Sequence, residues 1–342
     1  MAGSEARETV TIGVATPARM TVHYAYLTPA TALGYDWDEG LDLRIFHGGE
    51  PGATAQAIAA GKCDIASLNT IVGFVGRFEE GIPMLAVGSA ARRSHRYFAV
   101  LEDSPIRDLA DLAGKRIACD FPHLQVLAHA ALAEVGVPPE SFEWVGWHGS
   151  DMDCAGMTEP LRRGEADAMF VMDWILPDAR NRGLALRTLR SALFERISAS
   201  SCYWTTDAIF AARRDALGRA LRAIAKSVAF SFANPEAAVR AMWEVYPDTK
   251  PVSGDPEAVL RAETEVLKTC LARMRIGETD PDPRWCAISD DAMRTWQETL
   301  TRTGTIRAGA DHRLLYTTEL VDGINDFDAE AVRAAAREHR MA

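Results

Sequence analysis

The stretch Gly61-Lys62-Cys63-Asp64-Ile65 returns 103 positions later as Gly164-Glu165-Ala166-Asp167-Ala168. Each copy reads as a helix stop followed by a strand start, with a glycine free to take the left-handed conformation that ends a helix. The segments upstream repeat too. Ile117 lies 105 positions beyond Ile12, Pro122 lies 105 beyond Pro17, and Gly136 lies 102 beyond Gly34. A near-constant offset predicts two similar α/β units of about a hundred residues each.

Working outward, residues 9–15 are apolar and β-branched and predict a buried strand, which Thr16-Pro17-Ala18 breaks. A helical run follows to Leu33, where Gly34 stops it. Residues 41–46 predict a strand, 54–60 a helix and 63–68 a third strand. The second unit repeats this grammar at 115–119, 126–135, 142–147, 160–163 and 166–172. Alternating strands and helices imply an α/β fold, with mixed, mainly parallel sheets and helices on both faces. Beyond residue 205 the pattern turns helical, at 215–232, 235–246, 257–274 and 290–303. This tail is expected to wrap back onto the first unit.

Composition agrees. The 342 residues are 48% hydrophobic and 25% charged, which excludes a disordered or fibrous chain and fits roughly two domains. Lys and Arg number 37 against 48 Asp and Glu, a net charge of −11 with no long basic run, so nucleic acid and anionic membrane surfaces are poor partners. No apolar stretch reaches the length of about eighteen residues needed for a membrane span. The start, Met1-Ala2-Gly3-Ser4-Glu5-Ala6-Arg7-Glu8, lacks the features of a secretory signal. A cytoplasmic location is expected, or a periplasmic one if an export signal has been removed. The six cysteines form no CxxC pair and show no zinc spacing with histidine, so they read mainly as small buried thiols. No metal and no cofactor is expected.

In open α/β sheets ligands sit beyond the carboxyl ends of the strands. Two facing units therefore nominate Thr16, Arg19, His23, Asn69, Thr70, Asp120, His123, Gln125, Asp173 and Trp174. Capping would explain Asn69, Thr70 and Asp120 equally well. Packing at a cleft lip would explain His123 and Trp174. Tyr203 and Trp204 read as a hinge-lining pair or as plain packing. The run Arg92-Arg93-Ser94-His95-Arg96 is either a solvated turn or a clamp in which three arginines and a histidine, Arg93 and His95 foremost, hold a carboxylate or sulfonate. Aromatics beside Asp120 and Asp173 favour a flat heterocycle or a cationic group, with Arg19 or the Arg92 run meeting any acidic end. GxSxG, HExxH, Walker A and GxGxxG motifs are all missing, and a Cys119–His123 nucleophile is a minor option.

Three runs carry a resemblance: Ala59-Ala60-Gly61-Lys62-Cys63-Asp64-Ile65-Ala66, residues 108–118 ending Leu112-Ala113-Gly114-Lys115-Arg116-Ile117-Ala118, and Leu161-Arg162-Arg163-Gly164-Glu165-Ala166-Asp167-Ala168. With the tail at 315–328, they resemble the type-2 periplasmic-binding-protein superfamily. The similarity is to its branch of nitrate-, sulfonate-, taurine- and pyrimidine-binding proteins and thiamine-pyrimidine synthases. The resemblance implies a two-lobed fold, with residues 1–98 plus 205–342 as lobe 1 and 99–204 as lobe 2. Two crossings would join the lobes, which close on a small molecule by hinge motion. It also implies a solute-binding protein of an ABC-type importer, with a flat heterocyclic or aromatic ligand and a permease as partner. The alternative is a cytosolic enzyme on the same fold, such as an aromatic-acid decarboxylase or a pyrimidine synthase. The synthases carry a histidine after the third strand and a cysteine-rich run before the late strand. Here those places fall near Val72 and on Ser198-Ala199-Ser200-Ser201-Cys202-Tyr203, with one cysteine. The nucleophilic cysteine of the related desulfinases would fall near Thr16.

Overall fold

The computed structural model describes residues 7–16, 19–119, 121–148, 154–252, 254–277, 280 and 282–339. Asp120 and the side chain of His123 lie outside the described residues. Among the described residues, ten strands form two five-stranded sheets.

The first sheet contains β1 (Glu8–Val14), β2 (Leu41–His47), β3 (Ile65–Asn69), β4 (Met84–Arg93) and β10 (Ser198–Thr206), in the order β2-β1-β3-β10-β4. The second contains β5 (Arg96–Leu101), β6 (Arg116–Ala118), β7 (Glu143–Val145), β8 (Ala168–Met172) and β9 (Leu186–Leu189), in the order β7-β6-β8-β5-β9. The internal repeat is visible in the register: Ile12 pairs with Ile65, and Ile117 with Ala168.

The repeated Gly-x-x-Asp motif has a physical task. Gly61 and Gly164 take φ of 69° and 67°, the left-handed conformation a side chain would strain. Three residues on, each aspartate fastens the first strand of its own unit. The Thr11 N–H donates to Asp64 Oδ2 at 2.8 Å, and the Asp64 N–H donates back to the Thr11 carbonyl at 2.8 Å. In the second unit the Arg116 N–H donates to Asp167 Oδ2 at 2.9 Å, and the Asp167 N–H donates to the Arg116 carbonyl at 2.8 Å. An arginine neutralises each carboxylate, Arg213 on Asp64 and Arg116 on Asp167.

Each sheet is mixed in equal parts. β1 runs parallel to β2 and β3, and β6 parallel to β7 and β8, whereas β10 and β5 run antiparallel to both their neighbours. Antiparallel pairing is more frequent than strand–helix alternation implies, because each sheet receives one strand from the far side of a crossing. The chain crosses at Ser94-His95, between β4 and β5, and crosses back at Ile197, before β10.

The helical tail packs against the first sheet. The helix Asp207–Ala233 buries Leu217, Ala220, Leu221 and Ile224 in the core that holds Val10, Ile12, Leu41 and Leu43. Each such aliphatic side chain contributes about 1.5–3 kcal/mol when fully buried. Later tail residues cover the open edge of β4, with the Ala86 N–H donating to the Leu315 carbonyl at 2.8 Å and the Ser89 N–H to the Cys286 carbonyl at 2.9 Å. That covering removes an unpaired strand edge. All six cysteines are buried, and burial pushes the thiols of Cys63, Cys202, Cys270 and Cys286 up to about 12.

Candidate functional site

The ends of β3 and β8 and the crossing at His95 converge on a partly open chamber. Its wall includes His23, Tyr24, Asn69, His95, Arg96, Phe121, Trp174 and Arg273, drawn from both sheets and from the tail. Arg96 is placed here by strand alternation. It opens β5 at 4% exposure, and its Nη2 donates to Asn69 Oδ1 at 2.5 Å. Its Nη1 is buried and has no hydrogen-bond partner among the described residues. Arg273 follows the helix Pro256–Ala272 and is held by its own carbonyl, which accepts the N–H groups of Arg92 and Arg93 at 2.9 and 3.0 Å. Its Nη1 donates to Asp173 Oδ1 at 2.8 Å, an ion pair with side chains 10% and 6% exposed. The Nε of Arg273 is a second buried donor with no partner among the described residues.

The electrostatics favour an anion. Burial pushes the Arg96 guanidinium down to about 9, with Asp173 opposing, so it still carries its charge at neutral pH. Burial also acts against the charge on Arg273, but Asp173 and the surrounding buried groups hold its pKa above the ordinary value. Asp173 is raised by burial, with Arg273 and Arg96 pulling it back. Burial takes His23 down to about 3, reinforced by Arg273, and takes His95 well below its ordinary value. Both imidazoles are therefore neutral near pH 7. Among the described residues, two guanidinium charges stand against one carboxylate, an excess of one positive charge. The walls are aromatic: His23 stacks on Trp174 with ring centroids 4.7 Å apart and planes within 11°, and Phe121 meets Trp147 edge-on at 5.0 Å. Such faces suit a flat body.

The nominated residues divide as follows. His23, Asn69, His95 and Trp174 line the chamber, and Asp173 borders it through Arg273. His95 is fixed by Ser200 Oγ at 2.8 Å and Asn69 Oδ1 at 3.2 Å. Arg19 is exposed on a neighbouring cavity. Arg93 is 45% exposed and pairs with Asp280 at 3.0 Å. Thr16 bonds His47 at 2.7 Å, Thr70 donates to the Ala199 carbonyl, and Gln125 donates to the Cys119 carbonyl at 2.9 Å. Tyr203 lines a separate cavity of about 350 Å³. Trp204 is fully buried, bonds the Leu68 carbonyl at 3.2 Å and lies against Gly73, where an added Cβ would come within 2.2 Å of its ring. Asp120 and the His123 side chain stay outside the described residues.

Sequence reasoning missed two groups. Arg96 belongs to the basic run read as a clamp but is not among the residues singled out from it, because the crossing between β4 and β5 separates an inward Arg96 from an exposed Arg93 and leaves no sign of this in the run itself. Arg273 carries no sequence signal, because a helix-end arginine ordinarily reads as a solvated cap.

The family model that matches the sequence, described as NMT1/THI5 like, spans residues 21–238, more than half of the chain. The chain belongs to the NMT1/THI5-like family. A curated relative, the 4-amino-5-hydroxymethyl-2-methylpyrimidine phosphate synthase of Aspergillus parasiticus, is 24% identical to this NMT1/THI5-like chain over 258 residues, 69% of this chain and 70% of the relative. Among solved structures, the periplasmic aliphatic sulphonate binding protein SsuA of Escherichia coli aligns with a TM-score of 0.66 at 15% identity, covering 90% of this chain and 92% of that one. The periplasmic nitrate-binding protein of Synechocystis PCC 6803 aligns with a TM-score of 0.62 at 14% identity, covering 98% and 99%. These likenesses establish the type-2 periplasmic-binding-protein-like fold. Among the described residues, no helix is long and apolar enough to cross a membrane.

Proposed function

We propose that this NMT1/THI5-like protein is a solute-binding protein of an ABC-type importer, closing two lobes on a small organic anion with a flat body. The observation that carries the reading is the buried Nη1 of Arg96, which has no partner among the described residues, in a chamber whose described residues carry one excess positive charge. A buried donor without a partner costs free energy that an incoming acid group recovers. Aromatic faces from both halves would hold the ring. On this reading each sheet is the centre of one lobe, so the bounds expected at 98/99 and 204/205 move to the crossings at Ser94-His95 and Ile197, which keep β5 and β10 whole; the hinge lies there, a permease is the partner, and the working compartment is the periplasm. The fold shared with sulphonate- and nitrate-binding proteins supports this.

The Aspergillus relative favours a second reading, an enzyme on the same scaffold. Incubation with a bound acid, followed by mass spectrometry, separates the two: a binding protein returns it unchanged.

The test of the first reading is a thermal-shift and calorimetric comparison of benzoate, benzenesulfonate and nicotinate with benzamide, benzenesulfonamide and nicotinamide. Acids should raise the melting temperature by mass action and their amides should not. Equal responses from acids and amides, or an Arg96→Gln variant that responds like the parent, would contradict the reading.

A further inference from the structure

The stacked His23–Trp174 pair is a wall between two spaces. Both residues line the inner chamber, and both line a second, more open cavity. His23 comes from the 3-10 helix Val22–Leu27, and Trp174 from the residue after Asp173, so the wall is assembled from both sheets' connections and is not one continuous element. Both side chains belong to buried residues, at 7% and 6% exposure, and the imidazole is uncharged near neutral pH, so ring contact and the hydrogen bond between Thr21 Oγ1 and His23 Nδ1 at 3.1 Å hold the stack.

The outer cavity has a different chemistry from the inner one. Its charged lining consists of Arg19, Asp178, Arg182 and Glu263. Asp178 is already committed to Arg182 at 3.2 Å. Glu263 forms no ion pair among the described residues, and Trp243 Nε1 donates to its Oε2 at 3.0 Å. Burial pushes its carboxyl up to about 7, with Asp178 adding to the rise and Arg19 opposing it. A half-buried carboxyl that feels Arg19 but forms no ion pair among the described residues is a counterpart for an amine.

We propose that the outer cavity is a second ligand subsite, in which Glu263 receives an ammonium group on the distal arm of a ligand whose acid end lies on Arg96. This rests on the anion-binding reading of the inner chamber. Short acids stop at the His23–Trp174 wall. Longer ligands part the stacked rings and span both cavities, so the pair sets the length that is accepted.

The experiment uses isothermal titration calorimetry of the full chain. The probes are benzoate, 4-alkylbenzoates with one to four carbons, and the matching 4-(ω-aminoalkyl)benzoates. Benzoate binding that disappears in Arg96→Gln establishes the inner site. At one or more chain lengths the amine should then bind about tenfold tighter than its alkyl match, and this advantage should vanish in Glu263→Gln. Trp174→Ala should raise the affinity of the longest alkyl compound relative to benzoate. If benzoate binds through Arg96 but no chain length shows the amine advantage, or the advantage survives Glu263→Gln, the outer subsite is refuted and the inner site stands. If benzoate shows no Arg96-dependent binding, the inner-site reading falls and takes the outer subsite with it.

Discussion

Replacing Arg96 with glutamine should separate binding from stability. In the ligand-free protein the guanidinium is buried at 4% exposure, and burial lowers its pKa to about 9. A buried base with a depressed pKa is charged in both folded and unfolded states at pH 7, so the full cost of the shift is present there. That cost is about 5 kcal/mol. Against it stands the hydrogen bond from Nη2 to Asn69 Oδ1, worth about 1.5–3 kcal/mol for a charged donor. His95 Nε2 remains as a second partner for that oxygen. Arg96→Gln should therefore leave the ligand-free protein equally stable or more stable, by about 2 kcal/mol, in urea unfolding at pH 7. The same variant should lose about 3 kcal/mol of binding free energy for an aromatic acid, roughly a hundredfold in affinity. A variant that is destabilised by several kcal/mol and still binds the acid normally would refute the reasoning, because Arg96 would then be a structural tie and not an anion receptor.

Three further outcomes follow from the same geometry. Asp173→Asn should cost about 3–5 kcal/mol in urea unfolding, since it leaves Arg273 buried without its partner at 2.8 Å, and it should shift calorimetric preference from benzoate towards the dianion phthalate. Acidification from pH 6.5 to 5 should lower the melting temperature. The unfolded state takes up protons that neutral His23 and His95 refuse, at about 1.4 kcal/mol per pH unit each, while Glu263, raised to about 7, gains stability in the same window but is one group against two. His23→Gln should flatten that slope, and an unchanged slope would contradict the burial assigned to the imidazole. Gly73→Ala should destabilise by about 1–3 kcal/mol through its contact with the Trp204 ring while leaving anion affinity intact, and a neutral result would show that the ring is free to move.

The duplicated α/β plan was legible because the Gly-x-x-Asp motif does the same local work twice: it ends a helix and fastens a strand. The antiparallel half of each sheet was not legible. β5 and β10 read as ordinary buried strands, and nothing local states that each crosses to the other unit. Within the site, Asn69, His95 and Trp174 were reachable because they sit at strand ends or within the basic run, whereas His23 comes from the 3-10 helix nine residues beyond β1. Thr16, Thr70 and Trp204 share comparable positions, yet their polar atoms go to His47, to the Ala199 carbonyl and to the Leu68 carbonyl. Position along a strand nominates a residue, and only the partner it finds in three dimensions decides whether it is free for a ligand. Arg273 lies a hundred residues from Asp173 and reaches the chamber through tertiary packing alone.

The account rests on a buried guanidinium that waits for an anion between the two sheets. Crystals of the protein soaked in sodium bromide, with diffraction recorded at the bromine edge, test this without knowing the natural ligand. A bromide within hydrogen-bonding reach of Arg96 Nη1, absent in Arg96→Gln crystals, is the predicted result. Bromide found only beside exposed arginines such as Arg93, with the chamber lacking an anomalous peak, would contradict it.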